Sequence, residues 1–466
     1  MSRVRSPALP LVLLTVALQS AGGQYTSSAA DGAHRAIFRE LVELNTSPAG
    51  GQVSMASQAV ARRLLAAGFA PTDVETPGRV ASCRNVVATL RGRDRAAKPV
   101  LLLAHLDVVA AKRSDWTFDP FVLRETDGWF LGRGTLDNKA GASGLVANMI
   151  RWKREGFVPA RDLILVLTCD EETDASNGMR WLLEQRPRLR TAEYALNTDA
   201  GGVERGATGR VAFFVQAAEK AYVTFTLTAR NAGGHSSLPR RDNAIYALAA
   251  ALGRVAAYRF PVQYNDVTQT SFARSAQLET GPLAADVAAA GRGETTGAAI
   301  DRLSAVPHLN SDLRTTCVAT MLAGGHAENA LPQSATATVN CRVFPGTSEQ
   351  AVQRALVAVV ADTTIAVSTV YPMTPSPASP LRPDVLTAVE RTARAFWPDA
   401  IIVPHQSAGA TDGLYLRNIG VPVYGLSALE IAPEFDRSHG LDERVPVRAL
   451  YASREYWYAL VQALLP

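Results

Sequence analysis

Val100-Leu101-Leu102-Leu103-Ala104-His105-Leu106-Asp107 is an apolar run that ends in two side chains able to carry chemistry. A continuous hydrophobic stretch of this length reads as a strand buried on both faces, the habit of parallel sheets covered by helices. The pattern recurs at Leu163-Ile164-Leu165-Val166-Leu167-Thr168-Cys169-Asp170-Glu171-Glu172, again apolar first and acidic last. Between the two runs, residues 138–155 show helical spacing, and Gly156 follows as a stop signal. Further out, residues 85–90 form another short strand, 177–184 a helix, and 34–44 and 55–69 amphipathic helices. Strands spaced by helices predict an α/β layer with a largely parallel sheet. In such open sheets ligands bind beyond the C-terminal ends of the strands, where these acidic and histidine residues fall.

The character changes near Lys220. Residues 221–230 alternate as a half-exposed strand does, with Tyr222, Thr224, Thr226 and Thr228 on one face. A helix over 243–258, strands over 315–322 and 335–343, a helix over 348–361 and a strand over 364–370 follow. Strand, helix, strand, strand, helix, strand is the order of a small two-layer ferredoxin-like domain. Residues 261–312, rich in Ala and Gly, read as an irregular insertion within it. The first pattern resumes with a helix over 384–396, a strand over 421–426 and a closing helix over 447–464. The expected organisation is therefore a catalytic domain in two parts, 25–219 and 374–466, with residues 220–373 inserted between them.

The 466 residues, 47% of them hydrophobic, suffice for two cores. Lys and Arg number 47 against 43 Asp and Glu, a mild excess that indicates no nucleic-acid partner. Residues 1–24 read as an export signal: Arg3 and Arg5, an apolar run too short to span a membrane, then small residues at 20–23. Export predicts a periplasmic or secreted protein with no stable membrane span after cleavage, and oxidised cysteines become feasible. The four cysteines form no C-x-x-C pair, and Cys317 and Cys341, on neighbouring predicted strands, are placed to face each other.

Five groups of residues carry the chemical reading. His105 and Asp107, two apart on a strand end, point the same way, so an imidazole can bind a metal while the carboxylate takes its other N–H. In Gly132-Arg133-Gly134-Thr135-Leu136-Asp137-Asn138-Lys139, Asp137 precedes a helix; its simple role is N-cap, and its chemical role is to bridge two metals. Asp170-Glu171-Glu172 are adjacent anions, costly near a low-dielectric site unless cations neutralise them, although alone they read as a solvated acidic loop. Asp199 followed by Gly201-Gly202, and His439 followed by Gly440, complete the set. Each is weak alone; in this order they are specific.

Taken together, these motifs resemble the carboxypeptidase S, aminoacylase and glutamate carboxypeptidase family of dizinc metallopeptidases, from about residue 35 to the end. The nearest flavour is carboxypeptidase S-like: His105-Leu-Asp-Val-Val, Trp116 with Asp119-Pro120-Phe121, Gly233-Gly234-His235-Ser236-Ser237, and Asn329-Ala-Leu-Pro332 with Arg342-Val-Phe-Pro345-Gly346. The resemblance implies a zinc-peptidase-like α/β/α catalytic domain with an inserted lid and dimerisation domain, the family containing both dimers and monomers. It implies two Zn²⁺ ions, with Co²⁺ or Mn²⁺ as substitutes: His105 and Asp199 on one, Glu172 and His439 on the other, Asp137 bridging. It further implies Asp107 as the orienter of His105, Glu171 as general base and His235 as an oxyanion holder. Asn329, Arg342 and Thr411 would bind substrate, a small peptide or N-acyl amino acid with a free carboxylate. Two departures stand out: Ala200 where these members usually have Glu, and Asn138 where many have a second Asp. An aminopeptidase of the same fold and a non-catalytic peptide- or amino-acid-binding module are the alternatives; an intact Glu171 beside intact ligands argues against the second. His34, His308, His326 and His405 have no motif context and read as structural.

Overall fold

A computed structural model describes residues 28–173 and 175–466. The expected export signal, residues 1–24, lies outside the described residues. The large sheet runs in the order Val74–Glu75, Val86–Leu90, Leu163–Thr168, Val100–His105, Tyr194–Asn197, Val423–Gly425, Val211–Glu219, Ile401–Ser407, with Gly202–Arg205 paired to Val211–Glu219. Its centre is parallel: His105 lies opposite Thr168, and Leu103 opposite Asn197. That register brings the C-terminal ends of three strands to one edge, so residues 105–107, 169–172 and 198–199 leave the sheet together.

Both apolar runs are buried throughout, as strands covered on two faces must be. Side chains alternate between two cores. Val100, Leu102 and Ala104 face the larger one with the helices Val53–Ala66, Lys139–Glu155 and Val447–Leu464. Leu101 and Leu103 face a smaller one with Met179, Leu182 and Leu416. Helix Lys139–Glu155 ends at Gly156, whose φ of 72° is the left-handed turn a C-terminal glycine supplies at low cost.

The second sheet has the order Thr316–Gly324, Ser334–Val343, Ala221–Arg230, Ile365–Thr369, antiparallel throughout. Ala221, Val223, Phe225, Leu227 and Ala229 turn inward to the helices Ala244–Ala257 and Glu349–Val360, leaving Tyr222 and the threonines on the other face. Strand–helix–strand–strand–helix–strand with this pairing is the ferredoxin-like arrangement. Cys317 and Cys341 are register partners on adjacent strands and form a disulfide. A second disulfide, Cys83–Cys169, was not anticipated.

Residues 261–312 correct the sequence reading. They are not irregular but hold four helices: Asp266–Ser275, Gly281–Gly291, Ala298–Ser304 and Pro307–Leu313. These share a core of Phe272, Val287, Ala290, Ile300, Leu303 and Leu313. Alanine supports helix well, but each segment is too short for its periodicity to show, and Gly and Pro punctuate them. The insert leaves the small sheet and packs on the large one. Leu278 joins Ile401, Val403 and Ala212, and an Arg274 Nη1–H donates to the Ile402 carbonyl at 2.6 Å. Among the described residues no helix is long and apolar enough to cross a membrane.

Candidate dinuclear metal centre

The aligned strand ends bring His105, Asp137, Glu172, Asp199 and His439 into one cluster. His105 Nε2 is 2.9 Å from Asp137 Oδ1 and 3.3 Å from Asp199 Oδ1. His439 Nε2 is 3.1 Å from Asp137 Oδ2 and 3.0 Å from Glu172 Oε2. Two donor groups result, His105–Asp137–Asp199 and Asp137–Glu172–His439, and Asp137 gives one oxygen to each.

The field of the cluster favours positive charge. Burial opposes protonation of His105, yet the Asp199 charge and the Asp137 hydrogen bond outweigh it and hold the imidazole well above its usual range. Hydrogen bonds to Asp137 and Glu172 push His439 up to about 10. Burial would raise Asp137, but hydrogen bonds from the two histidines outweigh it and hold its carboxyl well below the carboxylate range. Burial raises Asp199 to about 6 and Glu171 well above the usual range, the Asp199 charge adding to the latter. Imidazole and carboxylate donors in two three-membered groups, sharing one carboxylate, suit a pair of borderline divalent cations such as zinc.

His105 Nδ1 faces Asp107, 3.0 Å from its carbonyl oxygen and 3.7 Å from its Oδ1. The carbonyl, rather than the expected carboxylate, is the closer partner; the carboxylate instead accepts the Glu172 N–H at 3.0 Å. Either group can hold the ring so that Nε2 faces the cluster. Asn138, the departure noted above, uses its amide to donate to Asp199 Oδ1 at 3.0 Å and to accept from Thr198 Oγ at 2.8 Å. It therefore orients Asp199 without adding charge.

Glu443 was not singled out in the sequence and anchors the centre. It is fully buried and accepts N–H groups from Gly134, Leu136 and Asp137 at 2.9, 2.7 and 3.0 Å. Arg133 Nη1 donates to it at 2.7 Å, and Arg133 Nη2 donates to the Gly440 carbonyl at 3.0 Å. The Gly-Arg-Gly motif is thus a clamp between the Asp137 loop and the His439 loop. Asp412 was also missed. Buried, it accepts from Thr168 Oγ at 2.5 Å and Asn177 Nδ2 at 2.9 Å, burial raises it to about 7, and its charge reaches Glu171. Asp170 and His439 hold φ of 59° and 61°, conformations that cost on the order of 1–3 kcal/mol and gather at functional sites.

The substrate residues fare differently. Arg342 is half-buried, stacks 5.0 Å from the Tyr222 ring and donates to the Ala408 carbonyl at 3.3 Å, without a carboxylate partner among the described residues. Thr411 is buried, donating to Glu219 Oε2 at 3.1 Å and accepting from the Gly413 N–H at 3.0 Å. Its single proton is spent inside the fold. His235 and Asn329 are exposed on the ribbon pairing Gly234–His235 with Ala330–Leu331, and His235 Nδ1 contacts Ser237 Oγ at 2.7 Å. Neither joins the cluster of its own chain.

The sequence profile of Peptidase family M20/M25/M40 matches residues 101–463. The N-fatty-acyl-amino acid synthase/hydrolase PM20D1 of Xenopus tropicalis is 30% identical over 381 residues, 80% of this chain and 74% of its own. The M20 family metallo-carboxypeptidase Sso-CP2 of Sulfolobus solfataricus superposes with TM-score 0.68 at 15% identity, covering 92% of this chain and 99% of its own. A Bacillus subtilis protein described as a dinuclear metal binding peptidase from the M20 family superposes with TM-score 0.58 at 14% identity, covering 93% and 97%. With the profile spanning both halves of the large sheet and the five clustered side chains, the chain belongs to Peptidase family M20/M25/M40 and is a metal-dependent amide hydrolase.

Proposed function

We propose that the chain hydrolyses the amide bond of N-acyl amino acids and small peptides that end in a free carboxylate, using two zinc ions. The observation that carries the reading is Asp137, whose two oxygens are divided between two donor groups beside Glu171. His105 and Asp199 would hold one ion and Glu172 and His439 the other. When bound, the ions would supply Lewis acidity at the amide carbonyl and lower the pKa of water.

The remaining work belongs to side chains. Glu171, desolvated and within the field of Asp199, His105, Asp412 and Asp107, would take a proton from the attacking water and return it to the leaving nitrogen. Arg342, without a carboxylate partner among the described residues, would offer its planar fork to the substrate carboxylate. His235 and Asn329, exposed on the ribbon, would act on the centre of a second copy, as an oxyanion holder and a substrate contact in a homodimer. Two disulfides support an exported protein.

The test is reconstitution with zinc and a screen of N-acyl amino acids and dipeptides, with and without chelator. Glu171→Gln should lower kcat by about 10²–10⁴-fold while both metals remain bound. Full turnover by that variant would place the base elsewhere.

A further inference from the structure

A cavity of about 600 Å³ opens beside the metal centre, between the large sheet and the helical insert. Its size is that of sites that enclose small molecules. Asp199, Ala200 and Gly201 line one part of it. There the chain offers a methyl group and a bare glycine, and nothing bulky separates the cavity from Asp199. The apolar part of the remaining wall is Phe214 from the sheet and Phe272, Leu283, Val287, Val306 and Leu309 from the insert, with polar side chains between them.

We propose that this cavity receives the apolar chain of the substrate's acyl group, with the amide bond at the Asp199 end. The proposal rests on the amide-hydrolase reading above and names the part of the substrate that reading leaves open.

Three observations support it. The cavity is continuous with a proposed metal ligand, so a chain inside it is attached to whatever lies at the centre. Among the described residues neither Lys nor Arg lines it, while Glu204, Glu279 and Asp312 do, so the anionic end of a substrate finds no partner among them. That end is left to Arg342, which bonds Ala408, next to the lining residue Ser407. Third, burial draws the inner polar groups toward their neutral forms. It raises Glu204, raises Asp312 to about 7 and lowers His405 to about 4. A charged chain would lose its hydration there, whereas an alkyl chain meets the apolar wall.

The experiment compares N-acetyl, N-octanoyl and N-dodecanoyl derivatives of one amino acid. On the zinc-loaded protein kcat/KM should rise by about tenfold or more from acetyl to dodecanoyl, since each buried methylene strengthens binding. Leu283→Trp, at a residue 37% exposed, and Val287→Trp, at a buried one, fill the cavity from two depths. Either should cut the dodecanoyl-to-acetyl ratio by about tenfold, melting curves showing that it folds. Calorimetry on zinc-loaded Glu171→Gln supplies a readout without turnover, the dodecanoyl compound binding about tenfold or more tighter than the acetyl one. Hydrolysis with rates and affinities independent of chain length overturns the cavity assignment and leaves the hydrolase reading standing. Chain-length-dependent binding that both tryptophan variants abolish, with no hydrolysis of any compound, supports the cavity and contradicts the hydrolase reading.

Discussion

At the residue scale the site depends on where each charge finds its partner. His105, Asp137 and Asp199 were legible because they end apolar runs or glycine turns, and a strand that delivers an ionisable group to its end has placed it for use. Thr411 lies in a loop that resembles a substrate loop, and its hydroxyl donates to Glu219, 192 positions away, a partner no local pattern announces. Arg342 meets no carboxylate among the described residues, so its charge is available to a ligand. Arg342→Ala should raise KM by about 10–100-fold for substrates with a free carboxylate, the value of a charged hydrogen bond, and leave KM for their amides unchanged. Steady-state kinetics on paired acid and amide substrates checks this, and equal losses on both would remove the carboxylate role.

At the scale of elements, two loops from opposite ends of the chain make one site, and Glu443 joins them. Its carboxylate collects three backbone N–H groups and Arg133, more than 300 residues away in sequence. No local pattern announces such a partner, because the groups it satisfies are main-chain donors of a turn. Glu443→Gln keeps the shape but removes the charge opposite buried Arg133, and one amide hydrogen then points at a donor. Metal affinity should fall by about 10–100-fold, the usual effect of losing a group that orients ligands. Competition with a chelator measures it; unchanged affinity would reduce Glu443 to a packing residue. The helical insert was missed for another reason. Four helices of seven to eleven residues leave too few turns for an apolar stripe to stand out, and their stability comes from packing on one another and on the strand Ile401–Ser407.

Across the whole molecule, both sheets follow from patterning: continuous apolar runs where helices cover two faces, and alternation where they cover one. Stability should carry a pH signature from two desolvated imidazoles. Burial, aided by Arg454, holds His34 at about 3 against the usual 6.5, and burial holds His405 at about 4. Between those values and 6.5 the unfolded chain binds more protons than the folded one, so their contribution is complete above pH 6.5 and is lost as pH falls toward 4. Relative to the parent chain, His34→Gln should therefore gain urea midpoint at pH 5 compared with pH 7.5; a pH difference unaffected by that variant would exclude His34 as a contributor. The central claim, two cations sharing Asp137, is tested most directly by anomalous diffraction at the zinc edge on crystals of the zinc-loaded protein. Two peaks should stand on either side of the Asp137 carboxylate, one beside His105 and Asp199 and the other beside Glu172 and His439. A single peak, or a pair that Asp137 does not bridge, would contradict the account.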